Sequence, residues 1–558
     1  MDDAYFNKLR FQMGKITAVT FFPKIISNHI WPFLCVSTFL GAFYYFTSPM
    51  LWLEVQNPRE ASLLWADEGL HLKSIERMQF NQNGELLHSA YTAFYTNLSY
   101  AISWLINGLE GNISTEKFIT GSRWASYLSI QSIILFVFWR LSKIFGSWKW
   151  AFLGMSFVGM QRGSFYYAIT MHPEAPMLLG IVIAMFSATE YLRRPRFTLL
   201  FWMALGSALA ISSKLQALLL LPWAGIIGLL GLWIGKIKDI YTIFLWTIGS
   251  LMTLICGVFL LTPYQMFHFQ RLWNGLQGER NMGAAGGWDT NNELNLFDWI
   301  NYTVSNELLG YSYSLLLVLT IFPFIKQFFQ NSQNLRDWLS SPICALFITN
   351  LIWLVIGAGY VFVTVESLIS RYLIHVAPSL MLITFIGVYW LSIPPKKLFH
   401  KFWLVFLFVF VAAGLQQQTK HGSFDFKVRK RIANRFVHIR KVMDDLKIIV
   451  PKESRILNSL GQQVDIIDSQ WFVNAYHEQP TMNMVSKSKI EYLLIPEDYP
   501  DSLQREGVSI EDSKSSPEYR EKINFWKSLV ENGINDQFQV LRQFPEAKVT
   551  LYRRKSQN

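Results

Sequence analysis

WPFLCVSTFLGAFYYFTSPMLWL, residues 31–53, contains no charged side chain. Coiled as an α-helix, a stretch of this length crosses the ~30 Å hydrocarbon core of a bilayer. Comparable apolar runs of about 20 residues follow one another as far as Leu415. The sequence therefore predicts a polytopic α-helical membrane protein with about eleven transmembrane helices.

The overall composition supports this prediction. Of the 558 residues, 51% are hydrophobic and only 16% are charged, which is too apolar for an ordinary soluble enzyme of this size. After residue 415 the sequence becomes a mixture of polar and charged residues, with Pro and Gly at turn-like intervals. Because such a segment cannot lie in lipid, we expect a transmembrane domain over residues 1–415 and a separate soluble domain over residues 416–558.

The charge distribution argues against a nucleic-acid-binding protein, and the cysteines argue against a disulfide-stabilised one. The net charge is +11, but Lys and Arg lie mainly between the apolar runs and in the tail, where they fix topology. Membrane lipids are therefore expected partners and nucleic acid is not. The three cysteines, Cys35, Cys256 and Cys344, all fall inside apolar runs, so they provide no disulfide framework for the loops or the tail.

The basic residues also predict the side of the membrane on which each loop lies. The amphipathic segment TAFYTNLSYAISWLI, residues 92–106, decides the count, because every basic loop falls inside only if this segment lies flat on the interface. The N-terminus is then cytoplasmic, and the loops 54–122 and 263–307 and the tail are outside. A basic cluster at residues 427–435 goes against this rule, but long translocated domains often ignore it.

Acidic residues stand in two of the predicted outer segments. Asp67 and Glu68 are adjacent in WADEGLHLKSIERM, residues 65–78, where helix capping is the alternative explanation. His172 and Glu174 lie at the outer boundary in YYAITMHPEAPMLLG, residues 166–180, where a merely solvated loop carboxylate is the alternative. Carboxylates at these places are suited to acid and base chemistry on the outer face.

Two cations are predicted at the same membrane depth. Lys214 lies inside ALGSALAISSKLQALLLLPW, residues 204–223, and must either reach the interface by snorkelling or meet a negative partner. Arg371 opens a late span in VESLISRYLIHVAPSLML, residues 365–382, with Glu366 and His375 nearby. Together, carboxylates and fixed cations form a plausible site for an anionic, lipid-linked substrate.

The order of these motifs resembles a known family. An Asp-Glu pair in a large first outer loop, an aromatic amphipathic segment, a His-Pro-Glu loop, a Ser-Lys after a small-residue span and a late Arg-Tyr-Leu are similar to GT-C class glycosyltransferases that use lipid-phosphate sugars. The chain looks most like the protein mannosyltransferases and the bacterial aminoarabinose lipid A transferases. KIEYLLIPEDYP and VTLYRRK suggest terminal strands, and the tail resembles the small extracytoplasmic α/β domain of bacterial members.

The resemblance implies roles for particular residues. Asp67 would be the catalytic base, with Glu68 beside it and Glu174 as a second catalytic carboxylate. The substrate-binding residues would be His172, Lys214, Arg371 and Tyr372, with Lys214 and Arg371 suited to the donor phosphate. The enzyme would be an inverting transferase of the plasma (inner) membrane that moves a sugar from a polyprenyl-phosphate donor to a lipid, glycan or protein acceptor outside. No cofactor motif is present, and a divalent metal ion shared by Asp67 and Glu174 is the one cofactor left open.

Two other functions compete with this one. A transporter or flippase of lipid-linked glycans would need charged groups at mid-span and preferably paired repeats, whereas the candidates here gather at one face. A polysaccharide polymerase or ligase would share the lipid-linked donor but would not require the acidic first loop.

Overall fold

The structure is a computed structural model that describes most of the chain. The described segments are residues 18–53, 93–109, 113–263, 296–304, 308–331, 334–364, 373–393, 397–458, 490–497, 517–530 and 537–555, with a few single residues between them. The first unit of the fold consists of helices: α1 (Ala18–Leu51), α2 (Ala93–Ile106), α3 (Thr115–Phe145), α4 (Trp148–Gly159), α5 (Arg162–Ala168), α6 (Glu174–Arg193), α7 (Phe197–Ser213), α8 (Leu220–Ile234), α9 (Ile240–Leu261), α10 (Leu296–Val304), α11 (Gly310–Asn331), α12 (Leu335–Ser340), α13 (Pro342–Thr364), α14 (Ala377–Ser392) and the part of the long α15 (Lys397–Ile449) up to Phe426, with 3-10 turns at Leu215–Leu219 and Ile374–Val376.

Eight helical stretches within the described residues are long and apolar enough to cross a membrane. Two more, Phe197–Ser213 and Leu404–Lys420, are apolar but shorter. The prediction of a multi-pass helical membrane protein is thus confirmed. The first predicted span matches the apolar stretch Ile30–Leu51 within α1, which ends close to the boundary expected from the sequence.

The helices differ greatly in how much of their surface is covered by protein. In α6 and α14 almost every residue is buried, including polar ones such as Thr189 and Ser379. In α9 only Gly257 is buried, and the large apolar residues Ile240 and Leu260 are 77% and 78% exposed. Exposed apolar side chains in a membrane-spanning helix can contact lipid. We therefore interpret α9 as a peripheral helix and α6 as a central one.

Small residues allow α6 and α7 to cross closely. A Cβ atom on Gly180 of α6 would lie 2.5 Å from the Ala210 nitrogen and 2.6 Å from the Gly206 oxygen of α7. A Cβ atom on Gly206 would lie 2.7 Å from the backbone nitrogen of Ala184. At this crossing the backbones themselves are in contact, as in other small-xxx-small helix pairs in membranes.

The amphipathic segment forms α2, and its polar side is the covered one. Ser99 and Ser103 are completely buried, whereas Tyr100, Trp104 and Leu105 are exposed. Ser103 packs against Gly121 of α3, where any side chain would collide with it. The two serine side chains therefore face the protein, whereas Tyr100, Trp104 and Leu105 face outward.

The second unit of the fold contains a four-stranded mixed sheet. Its strands are β1 (Ile456–Asn458), β2 (Tyr492–Pro496), β3 (Phe538–Phe544) and β4 (Val549–Arg554), in the order β1-β2-β4-β3. β1 is parallel to β2, and the other two pairs are antiparallel. A bulge interrupts β3 between Val540 and Arg542. The small C-terminal sheet predicted from the sequence is confirmed, and β2 and β4 are the two segments that suggested it.

Both faces of this sheet are covered by helices, as the alternation of side chains along a strand allows. One face packs against Ile439, Val442 and Leu446 at the end of α15. The other packs against Phe525, Trp526 and Leu529 of α16 (Pro517–Val530).

α15 is continuous across the predicted boundary at residue 415. The chain divides into two compact units, and the first of them extends to Phe426. Gln418 explains why residues beyond 415 remain with the first unit. Its buried side chain accepts a hydrogen bond from the Arg162 backbone nitrogen at 2.9 Å and donates one to the Leu309 oxygen at 2.8 Å.

Candidate functional site

Glu174 is the centre of a buried polar cluster in the first unit. It is the first residue of α6, and its side chain is 0% exposed. Its Oε1 atom lies 2.5 Å from the Lys214 ammonium, and its Oε2 atom contacts Nδ1 of His172. The structure therefore excludes the alternative of a solvated loop carboxylate.

Lys214 meets a negative partner within the protein. It follows the last residue of α7, and its backbone is extended, with φ −153° and ψ 132°, before the 3-10 turn Leu215–Leu219 begins. Only 12% of its side chain is exposed. An ammonium ion this far from water requires compensation, and the carboxylate of Glu174 provides it.

His172 completes the cluster and is itself fully buried. The backbone oxygen of His172 accepts a hydrogen bond from Ser126 of α3 at 3.4 Å, and Ser126 in turn contacts the hydroxyl group of Tyr95 in α2 at 2.9 Å. The cluster is thus connected to two helices that carry none of its charges.

The crossing of α6 and α7 brings the two charged ends together. Glu174 begins α6 and Lys214 follows the end of α7, and the two helices are antiparallel neighbours that touch at Gly180 and Gly206. Gly180 lies six residues after Glu174, and Gly206 lies eight residues before Lys214. A wider crossing would separate the carboxylate from the ammonium group, so the small residues are part of the site's construction.

A second buried cation lies in α3. Arg123 of α3 is 0% exposed, and its Nη1 atom donates to the backbone oxygens of Met50 and Leu53 at 3.2 and 3.1 Å. It therefore binds the carboxyl end of α1, just before the loop that carries Asp67. Sequence reasoning missed Arg123, although a charge inside an apolar helical stretch is the same signal that identified Lys214.

Three of the predicted site residues come together, and four lie outside the described part of the chain. His172, Glu174 and Lys214 form the cluster. Asp67, Glu68, Arg371 and Tyr372 lie outside the described residues, so their roles stay predictions. Among the residues that the structure does describe, no group of three His, Cys, Asp or Glu side chains can hold a metal ion. Asp67, the expected second ligand of a divalent ion, is not among them.

Together, the fold and the cluster define a multi-pass helical membrane protein with a buried carboxylate–lysine–histidine site. No protein-family model matches the sequence, and no curated protein matches it.

The chain is structurally similar over most of its length to ArnT from Cupriavidus metallidurans. The apo crystal structure of ArnT aligns with a TM-score of 0.46 and 8% identity, over 94% of this chain and 98% of ArnT. ArnT bound to undecaprenyl phosphate aligns with a TM-score of 0.43 and 10% identity over the same shares. The Saccharomyces cerevisiae protein O-mannosyltransferase Pmt1-Pmt2 complex bound to the sugar donor aligns with a TM-score of 0.32 and 17% identity, over 42% of this chain and 34% of that one. The similarity concerns the course of the backbone.

Proposed function

We propose that this protein is a membrane glycosyltransferase that moves a sugar from a polyprenyl-phosphate donor to an acceptor outside the plasma (inner) membrane. The observation that carries the proposal is the buried contact of Lys214 with Glu174. Such a pair gains little for stability, because the desolvation of two charges offsets much of their attraction. A fixed, largely buried cation is, however, well suited to a phosphate.

In this proposal Lys214 stabilises the leaving group. A hydroxyl or amine of the acceptor attacks the anomeric carbon of the sugar, and the bond from that carbon to the phosphate oxygen breaks with inversion. The phosphate leaves with the electron pair, and its growing negative charge is met by Lys214 and, as the sequence predicts, by Arg371, with Tyr372 as a further substrate-binding residue. Asp67, with Glu68 beside it, takes the proton from the acceptor.

Glu174 would then act by holding Lys214 rather than as a free base. Both of its oxygens are in contact, one with Lys214 and one with His172, so neither is directed at an acceptor. A carboxylate that fixes a cation keeps the ammonium group in one orientation before the substrate arrives. We therefore assign Glu174 and His172 to the positioning of Lys214, and base catalysis to Asp67.

The topology follows from the same proposal. The polyprenyl chain would lie between the helices, the sugar under the outer loops, and the C-terminal domain on the same side as Asp67. About eleven transmembrane helices, with the basic loops inside, satisfy the charge rule.

The test measures release of polyprenyl phosphate from a purified polyprenyl-phosphate sugar, with the protein in nanodiscs and an envelope fraction as acceptor. Undecaprenyl phosphate is the carrier of choice. We expect Lys214→Ala to lower turnover by about 100-fold or more, as the loss of a fixed charge at a developing anion does.

The matched control is Lys143→Ala, whose ammonium group lies 4.3 Å from the Trp139 ring in α3, away from the cluster. It should retain turnover. A wild-type protein that releases no polyprenyl phosphate but carries a lipid-linked glycan across a proteoliposome membrane would identify a flippase instead.

A further inference from the structure

A second buried polar contact lies beside the cluster. Gln216 is two residues after Lys214 in the 3-10 turn, and its Nε2 atom lies 3.0 Å from Nδ1 of His375. The amide nitrogen of glutamine can only donate, so Nδ1 of His375 is the acceptor in this contact. The contact therefore fixes the orientation of the imidazole relative to Gln216.

His375 is held from several sides. It is 1% exposed and lies in the 3-10 turn Ile374–Val376 that leads into α14. The indole nitrogen of Trp353 in α13 donates to its backbone oxygen at 2.9 Å, and the two rings meet edge to face at 5.6 Å. A Cβ atom on Gly357 would come within 2.7 Å of His375 Nε2, so α13 closes directly on the ring. The imidazole is therefore a fixed point to which Gln216 is bound.

The segment that carries Lys214 needs such a fixed point. Lys214 follows the last residue of α7, and its extended backbone interrupts the helix before the 3-10 turn begins. Its nitrogen donates to Ala210 at 2.9 Å, and its oxygen accepts from Ala217 at 3.1 Å. Gln216 lies inside the turn that the bond from Ala217 to Lys214 closes, so its contact with His375 limits how this turn can rotate.

We propose that Gln216 and His375 form a positioning pair that sets the orientation of Lys214 on Glu174. The inference rests on the proposed role of Lys214 toward the donor phosphate and names two residues that tune that role. Neither residue touches substrate in this proposal. Their effect passes through the backbone of the turn, so it should be measurable in Lys214 itself as well as in turnover.

The variants exploit the geometry of the imidazole. In His375→Asn the side-chain oxygen can take the place of Nδ1 as acceptor, whereas His375→Leu removes the acceptor and keeps an apolar volume. We expect His375→Leu and Gln216→Leu to lower kcat/KM for the donor by about 10- to 100-fold, as supporting residues around a site do. His375→Asn should stay within about threefold of wild type, with no change in the KM for the acceptor fraction. Because the two residues act as one pair, the double variant should be no worse than the worse single variant.

A structural role alone is tested with Trp223→Phe. This change removes a comparable buried bond between α8 and α13, from the Trp223 indole nitrogen to the Thr349 oxygen at 3.1 Å. It should lower the melting temperature without lowering kcat/KM. Equal losses of kcat/KM in Trp223→Phe and His375→Leu, or in His375→Asn and His375→Leu, would overturn the proposal.

A second readout is independent of sugar transfer. Cryo-electron microscopy of His375→Leu in nanodiscs should show the Lys214 ammonium displaced from Glu174, and His375→Asn should retain the contact. If the contact is unchanged in His375→Leu, the positioning pair is wrong even where the wild type is an active transferase. If the wild type transfers no sugar while the displacement is seen, the pair stands and the proposed function fails.

Discussion

The two glutamates of α6 make an instructive comparison. Glu174 and Glu190 lie sixteen residues apart at opposite ends of the helix, and each contacts two groups that can carry positive charge. Glu190 is 22% exposed and lies 2.8 Å from Arg193, its neighbour one turn along, and 3.5 Å from Arg140 of α3. Glu174 is fully buried and contacts His172 and Lys214, the latter 40 residues away in the sequence.

The difference shows that burial decides what an ion pair does. The Glu190 group is partly exposed, and partly solvated pairs of this kind contribute little to stability. The Glu174 group joins the ends of two helices in a buried place, where the loss of one partner leaves a charge uncompensated. The same residue type therefore forms a partly solvated ion pair near one end of α6 and a buried site at the other.

The largest effect is expected from neutralising each glutamate in turn. Glu174→Gln leaves the Lys214 ammonium buried beside a neutral amide, and should lower the free energy of unfolding by about 3–5 kcal/mol. Glu190→Gln should lower it by at most about 1 kcal/mol. Thermal unfolding in nanodiscs measures both.

A double variant sharpens this comparison. Glu174→Gln combined with Lys214→Met removes both charges, and should recover most of the lost stability without recovering sugar transfer. Equal melting temperatures for Glu174→Gln and Glu190→Gln would show that the Glu174 group is no more constrained than its counterpart.

A smaller effect is expected at the helix crossing that supports the Glu174 group. Gly180→Ala places a methyl group against the backbone of α7 and should cost about 1–3 kcal/mol, because the two helices must separate. Gly225→Ala in α8 is the matched control, since nothing lies within 4 Å of a Cβ atom there. It should be neutral or slightly stabilising, by up to about 1 kcal/mol. Turnover should fall with Gly180→Ala alone, and an unchanged melting temperature for this variant would contradict the close crossing.

The smallest effect is expected at the Glu190 end of α6. Arg193→Ala removes one partner of Glu190 and leaves Arg140, so it should cost about 0.3–0.5 kcal/mol. The difference in unfolding free energy between Arg193→Ala and wild type should shrink in high salt, because partly solvated charges are screened. The loss caused by Glu174→Gln should persist in the same salt series. A large, salt-independent loss for Arg193→Ala would show that the Glu190 group is a second constructed site.

The sequence allowed the members of the cluster to be predicted, but not their contacts with one another. His172 and Glu174 were identified by their place beside Pro at the end of an apolar run, and Lys214 by its cost in an apolar environment. Their meeting depends on the backbone distance at Gly180 and Gly206, and a sequence without tertiary contacts does not contain this distance. Gln216 was missed for the same reason, since a glutamine in a turn has no significance until His375 is opposite it.

The boundary at residue 415 shows a different limit. Polarity rises at Gln416, and the sequence was divided there. Polarity, however, indicates where lipid ends and not where a helix ends, and α15 continues to Ile449. The strands β2 and β4 were easier to predict, because their runs of Ile, Leu, Val and Tyr have the β-propensity of buried strands.

The irregular strand β3 has a consequence for how this protein behaves when many copies are crowded together. β3 lies at the edge of the described sheet, and Val540 and Leu541 are 52% and 38% exposed. A regular edge with such side chains would offer a template to a neighbouring molecule and promote aggregation. The bulge between Val540 and Arg542 breaks the even row of donors and acceptors, and Asp445 holds the Arg542 guanidinium at 2.8 Å along the same edge. The C-terminal sheet should therefore resist edge-to-edge polymerisation during overexpression and concentration, despite its exposed apolar residues.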